Sequence, residues 1–205
     1  ENGINLKRFN PDGNRKDLRK EFGFTEDDFV IGFVSRITLQ KAPLDFVKSI
    51  AIAHQKDARI KALLVGEGDM EEETKEAIRQ NGIEEYIRTS PFRNDVPDVL
   101  HAINVFCLPS LWEGLSIALL EAMAMKKALV VTPTDGTREV ITHQESGLIA
   151  DFGQPEELAE CYLTYLHYPE WIESYGNAAI AVIQERFDSR RVSQQVTEVY
   201  YDILQ

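Results

Sequence analysis

The chain has 205 residues, 43% of them hydrophobic and 27% charged, enough for one substantial core with an appended helical tail. Its 22 basic and 34 acidic side chains leave a formal charge of −12, which argues against nucleic acid or an anionic membrane as the partner of its surface. No apolar run approaches the ~18 residues of a membrane span.

Residues 1–28 are polar and turn-rich (Asn10-Pro11-Asp12-Gly13-Asn14), with one short helical reading near Lys16 to Phe22. No signal-peptide pattern opens them, and the missing initiator Met points to a fragment or a processed chain. They read as an inter-domain linker leading into a domain at 29–205. Phe29-Val30-Ile31-Gly32-Phe33-Val34 is a continuous apolar run, as expected of a strand covered on both faces. Further strand-like runs are Ile60 to Val65, Val105 to Leu108 and Ala128 to Thr132, with a weaker one at Leu148-Ile149-Ala150. Amphipathic stretches near 43–54, 70–81, 95–102, 116–126 and 155–167 separate them. This alternation predicts an α/β fold, a Rossmann-like doubly wound parallel sheet with right-handed crossovers. Residues 170–205 read as two helices broken near Phe187-Asp188-Ser189, with Asp188 placed to cap the second. Cys107 and Cys161 lie in apolar stretches and are expected to be reduced, buried thiols in a cytoplasmic protein.

Ligands of such sheets bind outside the carboxyl ends of the strands, so four loops matter. After the first strand come Arg36 and Lys41, five residues apart. They can clamp a diphosphate, one as a fork and one as a point charge, or be two solvated cations. After the second comes Gly66-Glu67-Gly68-Asp69, whose glycines allow close backbone approach to a ligand but equally fit an ordinary strand-to-helix turn. The full G-x-G-x-x-G is absent, so this is no dinucleotide fingerprint. After Leu108 comes Pro109-Ser110-Leu111-Trp112-Glu113-Gly114-Leu115-Ser116, then an apolar helix carrying Glu121. Two carboxylates eight residues apart flank a helix start whose free N–H groups at Leu115, Ser116 and Ile117 suit an anion. A ligand with hydroxyls at both ends and a pyrophosphate between them, a nucleotide diphospho-sugar, matches that pattern. The bland reading has Glu113 capping a turn and Glu121 reaching outward.

Other chemistries have less support. H-E-x-x-H, C-x-x-C, the G-x-S-x-G elbow, the P-loop and D-x-D are all absent, and His54, His101, His143 and His167 are far apart in sequence.

Taken together and in this order, the loops resemble the donor-binding domain of the GT-B glycosyltransferases, closest to the retaining family 4. The family's G-R-L-x-x-x-K-G stretch is similar to Ser35-Arg36-Ile37-Thr38-Leu39-Gln40-Lys41-Ala42, and its V-G-x-G-x loop to Val65 to Asp69. Its P-S-x-x-E-G … L-L-E-A-M-A block matches Pro109 to Ala124 almost letter for letter. Asp135 to Glu139 and Gly147-Leu148-Ile149 resemble later elements, and Asn2 to Asn5 with Phe9-Asn10-Pro11 resembles the inter-domain segment.

The resemblance implies roles. Arg36 and Lys41 hold the donor diphosphate, Glu113 accepts from sugar hydroxyls, and the backbone of Gly114, Leu115 and Ser116 meets the phosphates. Glu121 binds the ribose, and Arg88 to Pro91, with Thr89 and Ser90, lies where the nucleobase is contacted. Gly66 and Gly68 complete the donor loop. No metal and no cofactor are expected, and a UDP-sugar is expected ahead of a GDP-sugar as donor. The acceptor, a saccharide or lipid, falls to an N-terminal domain outside this chain, toward which helix 189–203 crosses. The fragment alone is then expected to be inactive, and peripheral membrane association to depend on the missing half. Alternatives are a nucleotide-sugar-binding module without transfer activity, or a synthase or epimerase of the same fold. Ser35, Ala42 and Pro91 stand where the family has or favours glycine.

Overall fold

The computed structural model of the protein describes residues 3–203. Six strands form one sheet: β1 (Phe29–Val34), β2 (Ile60–Val65), β3 (Ile87–Ser90), β4 (Val105–Leu108), β5 (Ala128–Val131) and β6 (Leu148–Ile149). All neighbouring pairs are parallel, in the order β3-β2-β1-β4-β5-β6. The chain builds outward from β1 to β3, then returns to place β4 on the other side of β1. The β1/β4 boundary is therefore the topological switch point, where open sheets of this kind leave a crevice.

The helices are α1 (Leu18–Glu21), α2 (Pro43–Lys56), α3 (Glu71–Gln80), α4 (Val96–Ala102), α5 (Ile117–Ala124), α6 (Asp135–Arg138), α7 (Pro155–His167), α8 (Glu170–Val182) and α9 (Ser189–Ile203). They cover both faces of the sheet, and the pleat sorts each strand between two cores. Phe29, Ile31 and Phe33 face α2, α3 and α7, whereas Val30 and Val34 face α4, α5 and α8. The apolar run that suggested a doubly covered strand has all six residues buried. Gly32 is the small member of that run because Ile103 packs on it, 2.4 Å from where a Cβ would stand.

Differences from the sequence reading have local causes. β3 has no apolar alternation to reveal it: only Ile87 is buried, and Arg88, Thr89 and Ser90 are polar. It is an edge strand, held by main-chain pairing to β2 from Ala62↔Ile87 to Val65↔Ser90. α6 is a single turn, too short for periodicity to show. The tail breaks as expected, through a π turn at Ile183–Phe187, and the Asp188 carboxylate accepts the Arg190 N–H at 3.0 Å to start α9. Asn2, and the side chains of Val199 and Ile203, lie outside the described residues.

The N-terminal segment is docked along its length. Ile4, Phe9, Leu18 and Phe24 are buried in the α4/α5 core. Ile4 pairs with the α8–α9 junction, its N–H donating to the Phe187 carbonyl at 2.7 Å and its carbonyl accepting from Ser189 at 3.0 Å. Cys107 is buried and Cys161 half-buried, and both are free thiols. No helix among the described residues is long and apolar enough to cross a membrane.

Candidate functional site

Past their last paired residues, β1 and β2 keep zipping together. Ser35 donates to Val65 at 3.1 Å, Ile37 to Glu67 at 2.9 Å, and Met70 back to Ile37 at 3.0 Å. This approach is what Gly66 and Gly68 permit. A Cβ at Gly66, where φ is +154°, would stand 1.9 Å from the Ser35 carbonyl oxygen, and one at Gly68 2.1 Å from that of Ile37. The close contact expected with a ligand is thus made first with the neighbouring loop. Gly66 also lines the cavity described below, beside the head of the helix after β4, but Gly68 does not.

Beyond Ile37 the chain turns through a 3-10 turn, Leu39–Lys41, ending at Ala42 in the left-handed region (φ 49°, ψ 54°), and Pro43 opens α2. The turn drives the Lys41 side chain inward, where the residue is 5% exposed and forms an ion pair with Glu113. Arg36 and Lys41 are therefore not an equivalent pair. Arg36 is exposed, with Nη2 3.5 Å from Gln40 Oε1, while Lys41 is committed to a carboxylate.

Three loops fix Glu113. The Gln40 side-chain amide donates to the Trp112 carbonyl at 2.9 Å, and the Leu111 N–H to the Gln40 carbonyl at 2.8 Å, clipping the β1 and β4 loops together. Ser110 Oγ donates to Glu113 Oε2 at 3.4 Å, and the Ser110 carbonyl accepts from Thr132 Oγ1 after β5. The Glu113 carbonyl accepts the Gly136 N–H at 3.4 Å. Gly136 must be glycine, since a Cβ there would lie 2.0 Å from the Gly114 oxygen. Gly114 itself is exposed with open space around it, next to the start of α5. Ser116 is the residue before α5 and makes no side-chain capping bond, which leaves the first helical N–H groups without a side-chain acceptor from it.

A cavity of about 390 Å³ opens beside this head of α5. Arg36, Gly66 and Glu67 form one side, Phe92, Arg93 and Val96 another, and Ile117, Ala118 and Glu121 the third. Glu121 is half-buried in it. Burial pushes its carboxyl above the usual range, and the Arg8 guanidinium pulls the other way. Thr89 and Ser90 open instead into a smaller neighbouring cavity of about 210 Å³, shared with Gly66, Glu67 and Pro91. Arg88 turns away to the carbonyl of Phe22, 3.2 Å from its Nε.

The structure thus gathers Lys41, Glu113, Gly114, Leu115 and Ser116 at one end of the crevice and Arg36, Gly66 and Glu121 along it. Sequence reasoning did not single out Gln40, Phe92, Arg93 or Arg8. Gln40 and Arg8 act through contacts 72 and 86 residues away in sequence, which no local pattern signals. Phe92 is 65% exposed at the cavity rim, two residues past β3, a strand that no sequence pattern reveals.

The family model described as glycosyl transferases group 1 matches residues 14–182. The UDP-Gal:alpha-D-GlcNAc-diphosphoundecaprenol alpha-1,3-galactosyltransferase of Escherichia coli is 29% identical over 154 residues, 73% of this chain and 40% of that protein. The N-acetyl-alpha-D-glucosaminyl L-malate synthase of Bacillus anthracis is 28% identical over 188 residues, 91% of this chain and 49% of that protein. The crystal structure of Anabaena HepE in complex with UDP-glucose superimposes with a TM-score of 0.87 at 25% identity, covering 98% of this chain and 56% of that one. The chain therefore spans about half the length, or less, of these relatives.

Proposed function

The chain belongs to the group 1 glycosyl transferases, a GT-B family, and from that membership we propose that it is the donor-binding half of a retaining glycosyltransferase. It takes a sugar from a nucleotide diphospho-sugar and delivers it to a saccharide or lipid acceptor held mainly by a further N-terminal domain. In this reading residues 1–28 are the inter-domain linker and α9 runs toward the partner domain. The observation that carries it is the Lys41–Glu113 ion pair, seated at the start of α5 and at the end of a crevice bearing Arg36 and Glu121.

Each group has a task its placement suits. Glu121, half-buried and partly relieved by Arg8, accepts from the ribose hydroxyls. Arg36 and the α5 N–H groups receive the diphosphate, and Lys41 adds charge as the diphosphate leaves. Glu113, fixed by Lys41 and Ser110, accepts from the sugar hydroxyls, so the anomeric carbon sits over the Gly114 turn. Cation and helix terminus together stabilise the leaving group with neither metal nor covalent enzyme nucleophile required. A uridine nucleotide is the first choice, because the HepE complex holds UDP-glucose and the galactosyltransferase is named for UDP-Gal. The complete set of Arg36, Lys41, Glu113 and Glu121 favours a working transferase over a module that has lost turnover.

Calorimetric titration with UDP, GDP, ADP and their sugar conjugates tests this reading. UDP binds, and affinity falls at least about tenfold in Arg36→Ala, where a charged hydrogen-bond partner of the diphosphate is removed. An absence of binding by every nucleotide at millimolar concentration, in both this chain and the full-length protein, would sink it.

A further inference from the structure

Arg8 lies outside every motif that the donor reading uses, yet it is bonded to the loop that walls the cleft. Its Nη2 donates to the Asn94 carbonyl at 2.8 Å, at the centre of the Phe92–Val96 wall. The residue is anchored from behind: Phe9 is buried, with the Arg8 guanidinium 5.2 Å from its ring centroid, and Arg15 Nη2 holds the Arg8 carbonyl at 2.8 Å. Four residues earlier, Ile4 pairs with Phe187 and Ser189 at the α8–α9 junction. A short, braced stretch therefore connects that junction to the cavity.

We propose that Arg8 is a positioning residue of the donor cleft, fastening the wall of Phe92 and Arg93 through the Asn94 carbonyl while lending its charge to Glu121 on α5. The inference rests on the donor reading for its ligand but not for its geometry. The other charged groups lining the cavity are Arg36 and Glu67 from the β1 and β2 loops and Arg93 from the loop after β3. Arg36 turns toward Gln40, and Arg93 is already held by Asp95 and Glu21, each at 2.7 Å. The α8 helix and the π turn meet α5 in the apolar core through Ala179 and Ile183. The Arg8 guanidinium, by contrast, opposes the effect of burial on the Glu121 carboxyl.

Two readouts test it. The first needs no nucleotide: the Glu121 carboxyl carbon is followed by NMR from about pH 3 to pH 8 in wild type, Arg8→Gln and Arg8→Lys. Loss of the charge leaves burial unopposed, so the midpoint rises in Arg8→Gln and returns toward wild type in Arg8→Lys. A midpoint unchanged in both variants overturns the proposal. The second is UDP titration at several pH values. Arg8→Gln weakens binding roughly three- to tenfold and begins to lose affinity at a higher pH as acid is added. That pH difference vanishes when Glu121→Gln is added to both backgrounds. Equal affinity and equal pH profiles in wild type and Arg8→Gln would overturn the proposal. If wild type binds no nucleotide at all, the donor reading fails, and the carboxyl titration still decides for or against Arg8.

Discussion

At the residue scale, the position that departs most visibly from the family pattern is Ala42. The family has glycine there, and the structure shows why: φ is 49° and ψ 54°, a left-handed conformation. A Cβ in that region costs about 1–2 kcal/mol, partly offset by the lower entropy of an alanine in the unfolded chain. The turn persists because its neighbours over-determine it. Lys41 is fixed to Glu113 on one side and Pro43 starts α2 on the other. Ala42→Gly should therefore stabilise the protein by roughly 0.5–1 kcal/mol. Urea unfolding would show this as a higher midpoint with unchanged slope, and a lower midpoint would mean that the left-handed turn is not the stable one.

At the element scale, the loops supply most of the candidate site, and they do so by packing on one another. Gly136, at the start of α6, is the floor on which the Gly114 turn rests. A methyl group at 136 meets the Gly114 carbonyl and the Leu115 nitrogen, backbone atoms that have little freedom to move aside. Gly136→Ala is expected to cost about 1–3 kcal/mol and to weaken nucleotide binding by displacing the head of α5. Gly114→Ala, on the same turn but with open space around it, should stay within about 0.5 kcal/mol of wild type. Denaturant unfolding of the two variants side by side checks the contrast, and equal losses would show that the two turns are not stacked.

These loops also mark how far the sequence could be read. The buried strands and amphipathic helices were legible because periodicity is a local signal, and the motif residues were legible because their order was familiar. The Lys41–Glu113 pairing was not, since it joins positions 72 residues apart. Nor was β3, whose only cue is main-chain pairing, or the docking role of the N-terminal segment, whose buried Ile4, Phe9, Leu18 and Phe24 are isolated among polar neighbours.

At the scale of the whole molecule, two cores sandwich the sheet, and the groups buried in them set how stability responds to alkali. The Cys107 thiol lies on β4 against the Tyr162 hydroxyl, which donates to its sulfur at 2.9 Å, and burial raises its pKa far above the ordinary thiol range. Cys161 on α7 is pushed up to about 12, again by burial first. Lys127 shifts the opposite way. With its ammonium buried against the Ile103 carbonyl at 3.1 Å and near Arg19, its pKa falls to about 8. Unfolded thiols titrate near 8.5 and an unfolded lysine near 10.4. Around pH 9 the native state thus keeps two thiol protons that the unfolded chain is losing, while the unfolded chain keeps a lysine proton that the native state has lost. Toward about pH 10.5 the buried Tyr162 and Tyr165 hydroxyls, also raised by burial, hold further protons that unfolded tyrosines, titrating near 10, give up. The difference is about one proton in favour of the native state near pH 9 and grows toward pH 10.5, so stability falls with rising pH by about 1.4 kcal/mol per unit at first and more steeply beyond. Cys161→Ala removes one of the retained thiol protons and should make the fall shallower by about 1.4 kcal/mol per pH unit. Lys127→Met removes the compensating lysine and should about double the slope near pH 9, with a smaller relative effect toward pH 10.5. Urea midpoints measured at intervals from about pH 8.5 to 10.5 would separate the three proteins. Parallel curves would mean that neither side chain is held in the protonation state its burial dictates.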